Sequence, residues 1–104
     1  MTASKVRRTA TAADTVCVCD GVSAREFDGD WIVLDLQSGN YYGLDELGGI
    51  IWQHFLNGRC ANEIATMLAS EYDATKDAIL DDTLRLVNEL VERGLVRIKE
   101  GEAD

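Results

Sequence analysis

The 104-residue chain contains no proline. No helix or strand is therefore interrupted by a missing backbone N–H, and the turns must rely on the nine glycines. Histidine occurs once, at His54, and cysteine three times, at Cys17, Cys19 and Cys60. The odd cysteine count suits a reducing compartment in which thiols stay free. A metal site would need all three cysteines and His54 to converge. The chain has no CxxC-type spacing, so no metal is expected. Apolar runs stay short of the roughly 18 to 20 residues that span a membrane. No apolar region follows Arg7 and Arg8, so the pair is not an export signal, and a cytoplasmic location is expected. Basic residues are also few: ten Lys/Arg stand against nineteen Asp/Glu, a net charge of −9. Lys5, Arg7 and Arg8 fall within the first fifteen residues, which leaves the remainder more acidic still. Such a surface repels phosphate backbones and anionic bilayers, so neither nucleic acid nor a membrane is expected as a partner.

Catalytic constellations are equally scarce. The paired carboxylates Asp45/Glu46 and Asp81/Asp82 read as solvated charges on helix faces. A nucleophilic triad would have to be built around His54, which lies among apolar positions of a helical pattern. The "GGIIW" run at Gly48–Trp52 lacks the Lys and Ser/Thr of a phosphate loop, and "GNYYG" has no dinucleotide pattern. The expectation is a binding module with no catalytic residues and no cofactor.

What is present is a change of period partway along one domain. Residues 1–14 read as a disordered basic tail, 15–99 as the domain and 100–104 as an acidic tail. Thr15–Gly29 alternates weakly and predicts an irregular strand or pair of strands ending in a tight turn at Asp28–Asp30. "WIVLDLQ", Trp31–Gln37, alternates clearly: Ile32, Leu34 and Leu36 face one way, and Trp31, Val33 and Asp35 the other. "SGN" at Ser38–Asn40 is a turn, and "YYGL" at Tyr41–Leu44 is a short third strand. Beyond it the apolar spacing becomes helical. Asp45 is a good N-cap for a first helix carrying Leu47, Ile50, Ile51 and Phe55, with Gly58 as its stop. Gly48 and Gly49 weaken that helix by about 1 kcal/mol each relative to alanine, which predicts close packing against a neighbouring backbone. A second helix places Ile64, Met67, Leu68 and Tyr72 on one face. Thr75 caps a third helix running to Arg93, Gly94 ends it, and "LVRIK" follows as an extended tail. The fold class is α+β: a three-stranded antiparallel sheet followed by three helices, in the manner of a winged helix-turn-helix.

The third helix has more apolar surface than one contact needs. Its apolar arc is about 160°, against roughly 100° for a one-sided contact. Leu80, Leu84, Val87 and Val91 form one row. Ile79, Thr83, Leu86 and Leu90 form a second, bordered by Asp82. Either the sheet covers both rows or something else covers one of them. A DNA-reading role for the same helix, as in an acidic winged-helix transcriptional regulator, conflicts with Asp77, Asp81 and Asp82 set against Lys76 and Arg85.

The order of motifs, from about Val22 to Val96, resembles the PqqD-like family, the peptide-recognition elements of ribosomally made, modified peptides. The marks are "LDLQSGNYYGL", then "GGIIWQHFLNG", then "EIATML", then the Asp82–Val96 run "DTLRLVNELVERGLV". The "SGNYYGL" wording is most similar to stand-alone recognition proteins of lasso-peptide clusters. The resemblance implies binding of a precursor-peptide leader, added as a strand beside Asn40, Tyr41, Tyr42, Gly43 and Leu44 and packed on the third helix. The row Ile79, Thr83, Leu86 and Leu90 would then supply pockets, and Asp82 would meet a polar or basic leader group. The implied partners are the precursor leader, a separate leader peptidase and possibly a cyclase. The alternative is a PqqD-type peptide chaperone serving a radical SAM maturation enzyme. The chain departs from the family at Asp45, where Asn is common, and at Cys60, where Thr or Ser is usual. Cys60 is a weaker cap, so fraying of the second helix is expected there.

Overall fold

A computed structural model of the chain describes residues 10–99. The elements follow in the order β1 (Thr15–Val18), β2 (Val22–Phe27), β3 (Asp30–Asp35), β4 (Tyr41–Leu44), α1 (Glu46–Leu56), α2 (Ala61–Glu71), α3 (Lys76–Glu92) and β5 (Val96–Lys99). β2, β3 and β4 form a three-stranded antiparallel sheet, so the fold is α+β and winged-helix-like. The Thr15–Gly29 stretch divides between two sheets. β1 leaves the meander and pairs with β5, with Thr15 opposite Lys99 and Val18 opposite Val96. The C-terminal "VRIK", expected as a short extended tail, is thus a paired strand. Among the described residues its partner, β1, lies some eighty residues away in sequence, beyond the reach of any local pattern.

Local chemistry sets the element ends. The Asp45 carboxylate accepts the Gly48 N–H at 2.8 Å, and the Thr75 hydroxyl accepts the Ala78 N–H at 3.1 Å. At α2 the Cys60 N–H donates to Glu63 Oε1 at 2.9 Å, the returning half of a capping box. Glu63 ties down the backbone where fraying was expected from Cys60. Its carboxyl is held below the usual range, chiefly by the hydrogen bond from the Cys60 N–H. Gly94, at φ 76°, turns the chain out of α3 in the left-handed region that disfavours a Cβ.

Two apolar clusters join the layers. Ile51, Phe55, Ile64, Leu68, Ile79 and Val87 pack among the helices, and Val33, Leu44, Trp52, Leu90, Leu95 and Val96 pack beneath the sheet. Each such side chain contributes about 1.5–3 kcal/mol on burial. Gly49 explains how α1 meets the sheet. A Cβ there would lie 2.9 Å from Trp31 Cγ and closer still to Cδ1 and Nε1. The tight neighbour is therefore an indole ring, in place of the expected backbone. The residues just before β1 also differ from expectation. Ala10 is buried in the helical cluster, its N–H donates to Asn88 Oδ1 at 3.0 Å, and the Ala12 carbonyl accepts the Asn62 N–H at 2.8 Å. Residues 10–14, read from sequence as part of a tail, dock on α2 and α3. The rest of that expected tail, and the acidic 100–104, lie outside the described residues.

Candidate docking groove

β4 is the edge of its sheet: it pairs with β3 on one side, and among the described residues nothing pairs with the other. The Asp35 N–H donates to the Asn40 carbonyl at 2.8 Å, which fixes the phase of the ladder. In an antiparallel pair, inward and outward backbone groups alternate. Asn40, Tyr42 and Leu44 therefore address β3, and the N–H and C=O groups of Tyr41 and Gly43 point to the open edge. The side chains alternate as well. Tyr42 sits opposite the fully buried Val33, on the inner face, and Tyr41 sits opposite Leu34, on the outer one.

Between this edge and α3 runs an open groove of about 480 Å³. β4 contributes Tyr42, Gly43 and Leu44; α1 contributes Leu47, Gly48 and Ile51 with the capping Asp45; and α3 contributes Asp82, Arg85, Leu86 and Glu89. Asp82 and Arg85 pair at 3.0 Å, both well exposed, so the pair adds little stability. The Tyr42 hydroxyl donates to Glu89 Oε1 and ties β4 to α3. This bond raises the Tyr42 phenol above its ordinary pKa, burial and the Glu89 charge add to the effect, and Arg93 opposes it. The Arg93 guanidinium lies 5.0 Å from the Tyr42 ring centroid, a cation–π contact that closes one end. A second hollow joins Arg93 to Asn40, Tyr41, Tyr42 and Gly43.

Several residues read as candidates from the sequence are therefore together: Tyr42, Gly43, Leu44, Asp82 and Leu86 line the groove, and Asn40 and Tyr41 border it. Three are not available. Ile79, Thr83 and Leu90, assigned to an uncovered row, are buried at 4%, 0% and 3% exposure. The Thr83 hydroxyl donates to the Ile79 carbonyl at 2.8 Å within the helix, which lets it sit in the core. The stripe facing the core is Ile79, Thr83, Val87 and Leu90, a mixture of the two sequence rows. The helix is rotated from the expected setting, because the sheet and α2 press on it from two sides and leave Leu86 at the boundary. Arg85, Glu89 and Arg93 were missed as groove residues. Arg85 stands three residues after Asp82, Glu89 three after Leu86 and Arg93 four after Glu89, and that helical spacing was the available signal.

Among the described residues, no group of three His, Cys, Asp or Glu side chains is placed to hold a metal ion. His54 is half-buried, with Nδ1 3.3 Å from Arg59 Nη1, on the α1 end remote from the β4 edge. No helix is long and apolar enough to cross a membrane among the described residues.

Fold and groove together define a small winged-helix-like module with an open strand edge beside a helix. The family model for coenzyme PQQ synthesis protein D matches residues 30–96, and the chain belongs to this PqqD family. No curated protein matches the sequence. Two solved structures are similar over most of their length. The complex of TbiB1 with the TbiA(beta) leader peptide is 30% identical, covers 84% of this chain and 98% of that one, and has a TM-score of 0.70. Lasso peptide synthetase B1 complexed with the leader peptide is 28% identical, covers 78% and 95%, and has a TM-score of 0.74.

Proposed function

We propose that this chain recognises the leader segment of a ribosomally made precursor peptide, of the lasso type, and that it does so without catalysis of its own. The leader adds as a strand to β4, hydrogen-bonding to Tyr41 and Gly43, and lays alternate side chains into the groove floored by Leu86. The observation that carries this reading is the open β4 edge lying directly beside a groove walled by α3. An unpaired edge is a template for strand addition, and the neighbouring pockets supply selectivity. The two similar structures were both solved with leader peptides, which supports the same mode here. Tyr42, with its inward side chain, is the tyrosine that meets the peptide's inner face. Ile79, Thr83 and Leu90 act from behind, as the packing that positions Leu86. The loaded peptide then passes to a separate leader peptidase and afterwards to a cyclase.

The description of the matching family, coenzyme PQQ synthesis protein D, is the observation behind a second reading: a peptide chaperone for a radical SAM maturation enzyme. Which enzyme accepts the loaded chain distinguishes the two. A DNA-binding role fits poorly, because the solvent side of α3 carries Asp77, Asp81, Asp82 and Glu92.

The test is titration with a synthetic leader peptide from the precursor encoded beside this chain, followed by NMR and calorimetry. Micromolar to nanomolar binding is expected, about −8 to −12 kcal/mol. Amide shifts should centre on Tyr41–Leu44 and on Asp82, Leu86 and Glu89. Absence of binding, or shifts centred on α2, would refute the proposal.

A further inference from the structure

One cation beside the β4 edge has no counter-charge among the described residues. Arg93 is the C-cap of α3, and its natural helical partner is Glu89, one turn back. Glu89 is already engaged, because the Tyr42 hydroxyl donates to its Oε1. The guanidinium lies over the Tyr42 ring instead, 5.0 Å from the centroid. Among the described residues it makes no ion pair, and none of them accepts a hydrogen bond from it. Arg85, the other cation along the groove, is paired with Asp82 at 3.0 Å. Arg93 lines the second hollow with Gly39, Asn40, Tyr41, Tyr42 and Gly43, a space of about 480 Å³. The same hollow borders the outward backbone groups of Tyr41 and Gly43. A guanidinium fork with unused N–H donors thus stands next to a strand edge with unused donors and acceptors.

We propose that the Arg93 hollow is a carboxylate subsite that sets the register of the leader, filled by an Asp or Glu at an even offset from the leader side chain over Leu86; the inference rests on the strand-addition reading above. Geometry sets the offset. Cross-strand neighbours share a face, whichever way the leader runs. The inner face of the added strand therefore carries the leader residues beside Asn40, Tyr42 and Leu44, with each step of two residues covering about 6.6 Å. The Leu44 end opens on Leu47, Ile51 and Leu86 and takes an apolar side chain. The Asn40 end opens on Arg93 and takes the acid, two or four residues away. Guanidinium and carboxylate meet through two parallel N–H···O bonds, a geometry that a neutral leader side chain does not reproduce. The rest of the surface rejects the same group. A slip toward Leu44 brings the acid against Asp45, Asp82 and Glu89, and a slip by one residue turns it to the outer face. On a chain of net charge −9, Arg93 therefore selects one register by attraction while its neighbours exclude the others by repulsion.

The experiment is calorimetry with the full chain and the synthetic leader peptide encoded beside it. Each leader Asp and Glu is replaced singly by Asn or Gln, and the apolar leader residue that couples to Leu86→Ala is located by the same titrations. One acid, at an even offset from that residue, should be the sensitive one, and its neutralisation should weaken binding about fivefold to tenfold. Moving this acid along the peptide by one residue should cost as much. Arg93→Gln should lower affinity for the wild-type leader by a similar factor and show no further loss with the neutralised leader. Arg93→Lys should recover part of the affinity, since it keeps the charge and loses the fork. The leader substitutions leave the protein's fold untouched, so they decide the matter even if Arg93→Gln unfolds. Additive losses, a sensitive acid at an odd offset, or tight binding of a leader with no sensitive acid overturns the inference and leaves the leader reading standing. A wild-type chain that binds no leader defeats both.

Discussion

At the scale of single residues, the groove and the core divide α3 between them within one helical turn. Thr83 and Leu86 are three positions apart, yet one is fully buried and the other lines the groove. Leu86→Ala is expected to lower leader affinity about tenfold, equivalent to about 1.4 kcal/mol, with circular dichroism unchanged. Thr83→Val should leave leader affinity untouched and shift stability by about 1 kcal/mol or less, since it removes only a hydrogen bond to a carbonyl already within the helix ladder. If the two variants affected affinity equally, the division of the helix proposed here would be wrong. Gly49 makes the sharper steric case. Alanine at an open helix position gains about 1 kcal/mol over glycine. Because the Trp31 indole occupies the Cβ position, Gly49→Ala is expected to destabilise by about 1–3 kcal/mol in urea unfolding. Gly48→Ala meets Asp45 Oδ1 at 3.2 Å and Leu44 Cβ and Cδ2 at 3.3 and 3.5 Å, so its cost should be clearly smaller.

At the scale of elements, β4 is held to the body by few ties. Among the described residues it pairs on one side only, and the Tyr42–Glu89 bond is a polar link to α3. That bond raises the phenol's pKa, so its contribution to stability is complete below pH 10, the ordinary tyrosine value, and is lost as pH rises through the higher folded value. Alkaline difference spectroscopy should find one of the three tyrosines ionising late, and Glu89→Gln should return it toward the ordinary range. Strand addition makes a separate demand on the ligand. Only Tyr41 and Gly43 offer outward backbone groups, so N-methylation should matter at alternate leader positions. A leader analogue N-methylated at the facing residues should lose binding tenfold or more, and one methylated at the intervening residues should lose much less. Equal losses would indicate side-chain docking without a ladder.

At the scale of the whole molecule, charge and closure matter most. The Asp35 carboxyl is lowered mainly by its bond from the Ser38 hydroxyl, and Glu63 mainly by the Cys60 N–H. Both groups have depressed folded values. Their contributions are therefore present above their ordinary values of 3.8 and 4.5 and are lost as pH falls through the folded ones. Thermal melts should show a declining midpoint below about pH 4.5, and Glu63→Gln should flatten part of that decline.

Much of this architecture is legible in the chain itself. The change from period two to period 3.6 marks the passage from sheet to helices. Asp45 and Thr75 mark two helix starts, because a short side-chain acceptor satisfies a backbone N–H within three residues. Motif order points to the PqqD family. Those features are local, or they repeat at fixed spacing, and sequence determines them directly. The tertiary structure decided what depends on two distant surfaces meeting. It paired β1 with β5, bound residues 10–14 to Asn88 and Asn62, and filled the space above Gly49 with an indole. It also rotated α3 so that Ile79, Thr83 and Leu90 went inward and Leu86, Arg85 and Glu89 came to the groove. An amphipathic arc of about 160° leaves the helix free to rotate by several tens of degrees at little cost in its own pattern. Only the simultaneous packing of α2 and the sheet removes that freedom, so the groove exists in the assembled fold and nowhere in the helix alone.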